Sequence, residues 1–510
     1  MRSRTVAVLF LGSLGLACGP TVMKPRLYES THPPSPGPKP QPLKVHLRSG
    51  ELVVLDSWTL SADHSTLEGR GTRYTVLREP RESGPQSLAL DGIALLESND
   101  RETVSSLAVG GLSTLTVAFG ALSVACLADP KSCFGSCPTF YLENDEERPR
   151  AEGFSASIAR SLEARDVDAL EDAHPNAGRL SLRMRNEALE THAVHRVRVL
   201  SVSRPADGRV FATGEGRFHA VRRLAAPATC GGPEGDCRSH IARDDRDERR
   251  SVSDPDDLAA REELHLFFPD APARGGIVIR ARQSLLTTFL FYQTLAYMGR
   301  HAGDWLATAE RGGPERAREL LGMGRVLGGI DVEVAETGDE WRRVGVFDEA
   351  GPIAGDVQVI PLIRSEAGPL RVRLRMAKGH WRIDWVALGE LSPPLEARGY
   401  DPVVVERAGR PDPSALAALL DRRRHLITLP GDEYRLSFSL PPLAADGELF
   451  LETEGYYYEW MREEWLREED PAMVALIVAR PEEALRRLAR AFKAHEAGAE
   501  QAFWGSRFGR

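Results

Sequence analysis

Six cysteines are spread through the 510 residues, and two pairs lie close enough in sequence to react with each other. Cys133 and Cys137 bracket Phe134-Gly135-Ser136, with Pro138 directly after. Cys230 and Cys237 bracket a second glycine-rich loop, Gly231-Gly232-Pro233-Glu234-Gly235-Asp236. Glycine admits positive φ, so the backbone can turn back on itself in both places. Such thiol pairs oxidise to local disulfides, or they supply thiolates to zinc. The second spacing is wider than the roughly two to four residues usual between zinc thiolates. An exported chain also meets oxidising conditions. Two local disulfides are therefore expected, with Cys126 left as an unpaired buried thiol and no metal.

A second set of candidates is aromatic. Trp381, Trp385, Tyr457, Trp460 and Trp465 could stack on sugar rings, although core packing is the favoured use of Tyr456–Trp465. Sugar hydrolysis would further require paired carboxylates in an open groove. Readable enzyme motifs are missing: there is no HExxH, no GxSxG and no P-loop. Gly153-Phe154-Ser155-Ala156-Ser157 lacks the last glycine of a nucleophile elbow, and GMGRVLGG at 322–329 has neither Rossmann spacing nor GK[ST]. No catalytic residue and no cofactor is assigned. The charge run DDRDERR at 244–250 has no EF-hand spacing and is expected to be a solvated loop. The net charge of −9 argues against a nucleic-acid partner, which needs a basic footprint.

Residues 1–18, MRSRTVAVLFLGSLGLAC, have the basic start, apolar centre and small-residue end of an export signal. Ala17-Cys18 ends it in the manner of a lipoprotein signal, with Cys18 as the acylated residue. Gly15 stands where a Leu-type residue is usual. Gly19, in place of Asp, favours the outer over the inner membrane. The motif CFGSCPTFY, with Gly153–Leu170 and Arg179–His192, resembles an uncharacterised group of bacterial lipoproteins and membrane-associated proteins. That resemblance implies an envelope location and a strand-rich architecture, and no chemistry.

The elements that must carry these residues read as mainly β, in an α+β chain of several strand-rich modules. Residues 19–42 form a proline-rich linker. A small SH3-like barrel is expected over 43–100, with a hairpin at Ser49-Gly50. Residues 103–128 are an apolar segment, either membrane-inserting or a buried hairpin. A Cys-motif β-module follows at 129–205, then an irregular charged linker at 206–258. A β-sandwich-like module covers 259–400 and includes a helix at 284–310. Strands and then C-terminal helices fill 401–510. In Arg371–Leu388 the alternation predicts two strands around a Lys378-Gly379 turn. RVRLRMAK there echoes RLSLRMRN at 179–186, which points to two related modules. The arginine row with Asp384 offers an anion site, but a cross-strand charge ladder on the wet face is the favoured use.

The expectation is a lipid-anchored cell-envelope protein that binds or assembles without catalysis, tethered to membrane lipid through Cys18. Two alternatives remain open: a carbohydrate- or peptidoglycan-interacting protein, hydrolytic or not, and a membrane-integral component acting through 103–128.

Overall fold

The computed structural model describes residues 21–28, 33–35, 42–47, 51–74, 80–103, 137–143, 145–188, 190–299, 322–336, 338, 340–348, 351–441, 447–459 and 468–505. The leader with Cys18, the apolar segment from 104 onward, Cys126, Cys133, Trp460 and Trp465 lie outside them. Strands make up 53% and helices 18%, so the chain is mainly β. Among the described residues no helix is long and apolar enough to cross a membrane. The chain divides into two compact units, Met1–Val76 with Pro80–Gly120, and Leu77–Glu79 with Ala121–Arg510.

The first unit is one antiparallel six-stranded sheet. Its order is Thr21–Tyr28, Ile93–Thr103, Leu43–Leu47, Leu52–Leu60, Thr66–Tyr74, Pro80–Ala89. Alternate residues Leu43, Val45, Val53 and Leu55 meet Leu67 and Leu88 in its core. Leu43–Leu47 and Leu52–Leu60 pair antiparallel from Leu43↔Leu55 to His46↔Leu52, as the pattern predicts for this stretch, while Ser49 and Gly50 lie outside the described residues. Thr21–Tyr28 corrects the linker assignment, because it pairs in register with Ile93–Thr103. A bulge at Asp56 shifts the register between Leu55 and Ser57. Gly71 lies opposite, where a Cβ would stand 1.9 Å from the Val54 carbonyl oxygen.

Among the described residues the second unit holds four sheets. The first runs Arg410–Pro411, Pro402–Arg407, Glu433–Ser439, Arg179–Arg185, Thr139–Leu142, Asp145–Glu152. The second runs Ala397–Tyr400, Glu190–Ser203, Gly447–Glu459, Ala164–Ala169. Leu182, Met184, Leu436 and Phe438 of one meet Val197, Val199 and Leu451 of the other in a shared core. Strands from 139–203 and from 397–459 thus interleave in both sheets. This corrects the expected separation of a 129–205 module from a 401–510 module.

The third sheet runs Phe218–Ala225, Gly208–Ala212, Asp356–Ile363, Arg274–Gln283, Trp381–Leu395, Arg249–Arg250. Phe218–Ala225 also pairs with Trp381–Leu395, which closes five of these strands into a ring. Phe211, Val221, Val278, Val359 and Trp385, one from each strand, pack together within it. Against it packs the fourth sheet, Gly235–Asp236, Thr229–Gly232, Arg261–Ala271, Gly368–Ala377, Ile330–Ala335, Arg342–Phe347. Residues 206–258 are therefore not a linker, since they supply strands to both. Cys230 and Cys237 form the expected disulfide, with Cα atoms 5.2 Å apart. Cys137 is a buried free thiol, so the expected Cys133–Cys137 bridge is not formed.

Lys378-Gly379 is not a hairpin turn. Gly368–Ala377 pairs with Arg261–Ala271 and Ile330–Ala335, whereas Trp381–Leu395 belongs to the facing sheet. The same crossing occurs after Arg179–Arg185, whose successor Glu190–Ser203 also joins the facing sheet. The arginine row behaves as the favoured charge ladder: Arg373 bonds Glu333 at 2.6 Å, with Glu263 3.7 Å away. Asp384 is not part of it and sits buried in the other sheet.

Helices Leu286–Met298, Gly322–Leu327, Pro471–Ala479 and Pro481–Gly505 share a core of Leu286, Phe289, Met323, Leu476, Leu488 and Phe492. Gly299, at φ 52°, ends the first of them well short of the expected residue 310.

Gly379 has φ 79°, and a Cβ there would lie 2.3 Å from the Ser253 nitrogen. Gly379→Ala is expected to destabilise the protein by more than about 1 kcal/mol, because both the backbone conformation and the space exclude a side chain. Equilibrium urea unfolding of parent and variant measures it.

Candidate functional site

Period-two alternation along Arg274–Gln283 sends Ile277, Ile279 and Ala281 into the core between the third and fourth sheets. The opposite face carries Val278, then Arg280 and Arg282. Arg280 lies across from Val357 and Trp385, so it continues the inner face of the ring where that interior turns polar. Opposite, the register slips between Arg280 and Ala281, and Asp384 is the extra residue. Bulges of this kind re-aim a side chain. Here the bulge leaves Asp384 3.5 Å from Arg280.

A cleft of about 190 Å³ opens over these residues. Arg148 and Arg150 enter it from the Asp145–Glu152 strand, Glu171 from the turn after Ala164–Ala169, and Arg246 and Glu248 from the charged loop. Its wall thus holds six arginines, counting Arg280, Arg282 and Arg382, against the carboxylates of Glu171, Glu248 and Asp384. The charged loop was expected to be solvated. Instead it supplies partners for buried guanidinium groups, and its own Arg249 is 2% exposed between Glu234 and Glu262.

Each buried guanidinium is met by oxygen. Arg280 bonds Glu171 and stands 2.8 Å from Asp244. Arg282 is held by both oxygens of Glu248, at 2.6 and 2.7 Å, and by the Pro352 carbonyl at 3.0 Å. Arg382 bonds Glu500 of the C-terminal helix at 2.9 Å. At the outer edge the balance changes. Arg148, Arg150 and Arg246 converge on one oxygen of Asp172, at 3.4, 2.9 and 3.1 Å. Arg150 also reaches Asp145 at 2.8 Å. Burial, and then repulsion from Arg150 and Arg246, pushes the Arg148 guanidinium below its ordinary pKa. Asp172 and Arg246 both hold left-handed backbones, φ 57° and 71°, a strain that tends to gather at functional sites. Guanidinium groups hold no metal, so the cleft suits a carboxylate or phosphate group.

A second cavity, of about 220 Å³, is mostly apolar. Leu290, Phe291, Met323, Leu327 and Ile477 wall it, with Cys137 and Tyr457 across from them. Burial, then the charges of Glu190, Glu152 and Glu459, holds the Cys137 thiol well above its usual pKa. A nucleophilic cysteine needs the opposite environment.

The aromatic candidates part company here. Trp381 is fully buried against Phe347 and His380, and Trp385 lies inside the ring against Phe211. Neither presents a face to a sugar, which corrects their assignment as ligand contacts. Tyr457 lines the apolar cavity, and its hydroxyl bonds the Ser155 carbonyl at 3.2 Å. Of the cleft residues, Asp384 stands out in the sequence beside the wrong arginines, and Arg246 and Glu248 stand out only as part of a charge run that reads as solvated. Arg148, Arg150 and Asp172 carry no spacing signal, because the fold brings them to Arg246 from a distant segment.

No family model matches the chain, and no curated protein matches it. Among solved structures, the secreted serine protease VesC from Vibrio cholerae aligns at 7% identity over 70% of this chain and 74% of that one, with a TM-score of 0.15. The infectious bursal disease virus Gx strain structure aligns at 9% identity over 71% and 91%, with a TM-score of 0.11. Overlaps this low carry no argument about fold or function.

Burial raises the Asp384 carboxyl to about 6. The unfolded chain binds that proton only below about pH 4. Between about pH 4 and 6 the folded protein therefore holds an extra proton, and stability falls as pH rises through this window. In Asp384→Asn that contribution disappears, while Arg246 N–H can still donate to the side-chain carbonyl. Urea unfolding between about pH 4 and 7 should show a shallower fall for the variant; equal slopes would refute the assignment.

Proposed function

We propose that this protein is a lipid-anchored envelope protein that works by binding, and that its larger unit holds an anionic group in the arginine cleft. The observation that carries the binding role is the meeting of Arg148, Arg150 and Arg246 on a single Asp172 oxygen. One carboxylate oxygen serving three guanidinium groups leaves N–H donors in a strained, partly open site. A carboxylate or phosphate oxygen entering the cleft gains charge-assisted, bidentate hydrogen bonds from them. The envelope location rests on the leader and its Ala17-Cys18 end. A binding role also agrees with the protonated Cys137 thiol in the apolar cavity. A glycan partner would need open aromatic faces, which Trp381 and Trp385 do not offer.

Binding is tested by calorimetric titration of the full chain with inorganic phosphate and with a small dicarboxylate. Each charge-assisted hydrogen bond contributes about 1.5–3 kcal/mol. Arg148→Ala combined with Arg246→Ala should weaken binding at least tenfold, and added salt should weaken it in the parent. The cleft has no such role if neither anion binds, or if the double variant binds as the parent does.

The tether is tested separately. Cells expressing the parent or Cys18→Ala are fed a fatty-acid probe. Label is expected in the parent's membrane fraction and absent from the variant; equal labelling would remove the tether.

A further inference from the structure

Glu163, His195 and His425 come together from three distant segments of the larger unit. Glu163 follows the short Arg160–Leu162 turn and precedes the Ala164–Ala169 strand. His195 lies in Glu190–Ser203 where the pairing with Gly447–Glu459 slips between Val194 and Arg196, so it is the extra residue of a bulge. A bulge re-aims its side chain out of the regular alternation. His425 precedes Leu426–Thr428, a strand that pairs with Glu190–Ser203 beside that bulge.

The contacts set an electrostatic condition. His195 Nε2 lies 2.7 Å from the Arg422 carbonyl oxygen, which can only accept, so that nitrogen carries a hydrogen. In a neutral imidazole the other nitrogen, Nδ1, then presents its lone pair. It faces Glu163 Oε1 at 3.1 Å, and Glu454 Oε1 stands 3.9 Å away. His425 Nε2 faces the same Glu163 oxygen, also at 3.1 Å. The two imidazoles lie 4.8 Å apart, centre to centre. A carboxylate oxygen and the ring nitrogens thus converge on one point, and a positive charge there, a second proton on His195 or a bound cation, relieves the contact between the Nδ1 lone pair and the carboxylate.

We propose that this charge is a divalent transition metal, with zinc as the ion the donor set fits best, bound by His195 Nδ1, His425 Nε2 and Glu163, with Glu454 at the edge. Four-coordinate zinc with bonds of about 2.0 Å separates its ligand atoms by about 3.3 Å. The donor atoms here all lie within 4.8 Å of one another and include two contacts of 3.1 Å, so small side-chain movements close the site. Two imidazoles with one or two carboxylates are the mixed nitrogen and oxygen set that zinc accepts. The Arg422 carbonyl fixes the His195 tautomer that leaves Nδ1 free to ligate, the outer contact typical of metal-bound histidine. His195, His425 and Glu163 are 17%, 19% and 20% exposed, which leaves a path for the ion and for a water ligand. No thiol takes part, so this site is separate from the cysteine-based zinc site that was set aside. It is also independent of the arginine cleft.

The test uses the untagged full chain, stripped with a chelator and titrated with Zn²⁺ in a calorimeter and with Co²⁺ in a spectrophotometer. One Zn²⁺ per chain is expected, together with the intense visible bands of four- or five-coordinate cobalt. His195→Ala and His425→Ala should each weaken Zn²⁺ binding at least tenfold, and the near-isosteric Glu163→Gln should do the same without disturbing the fold. Absence of binding by the parent up to about 1 mM Zn²⁺ would overturn the proposal. So would a cobalt spectrum of the hydrated octahedral ion, or undiminished binding in Glu163→Gln. The cobalt spectrum reads the ligand set in the unaltered protein, so a misfolded histidine variant leaves the result decidable.

Discussion

Arginine buried beside carboxylate is the interaction on which the larger unit depends. Arg280, Arg282 and Arg382 are 6–7% exposed. A guanidinium withdrawn from water this far costs several kcal/mol unless oxygen replaces the water around it. Glu171, Asp244, Glu248 and Glu500 do so, and they come from three different segments. The network therefore constrains topology. The turn after Ala164–Ala169, the loop at 244–250 and the C-terminal helix must all dock on the third sheet before its arginines can be buried. Removing one partner would strand a buried charge, typically a loss of about 3–5 kcal/mol.

Two backbone devices bring side chains into places that regular strands cannot reach. The first is the bulge, which aims Asp384 at Arg280 and His195 at Glu163. The second is the corner that carries the chain from one sheet to the sheet facing it, at Asn186-Glu187 and again at Lys378-Gly379. A hairpin would have kept consecutive strands in one sheet. Crossing instead lets each strand of the pair cover the other's apolar face. Both corners follow strands with the same alternating burial, and this shared path adds a topological likeness to the sequence echo between 179–186 and 371–378.

Much of the fold was legible. Leu180, Leu182 and Met184, and likewise Val372, Leu374 and Met376, announce strands with one face inward, and they are strands. The close spacing of Cys230 and Cys237 announced their disulfide. The errors have a common cause. Trp381, Ile383 and Trp385 alternate with Arg382 and Asp384, a pattern that in an isolated sheet marks one wet face. In the folded chain other segments cover both faces, so Arg382 and Asp384 are buried as well. The charge run at 244–250 misled in the same way, because its acids are counterions to arginines about 35 residues or more away along the chain.

Residue order by itself determined the mainly β character, the positions of several strands and the short-range disulfide, since each depends on neighbours a few residues apart. Tertiary structure alone decided which sheet each strand joined, which charged residues were buried, and that residues 163, 195 and 425 meet at one point. Side-chain alternation identifies a strand's two faces, but it holds no record of what will cover them. That depends on contacts between segments hundreds of residues apart, and no local pattern encodes those contacts.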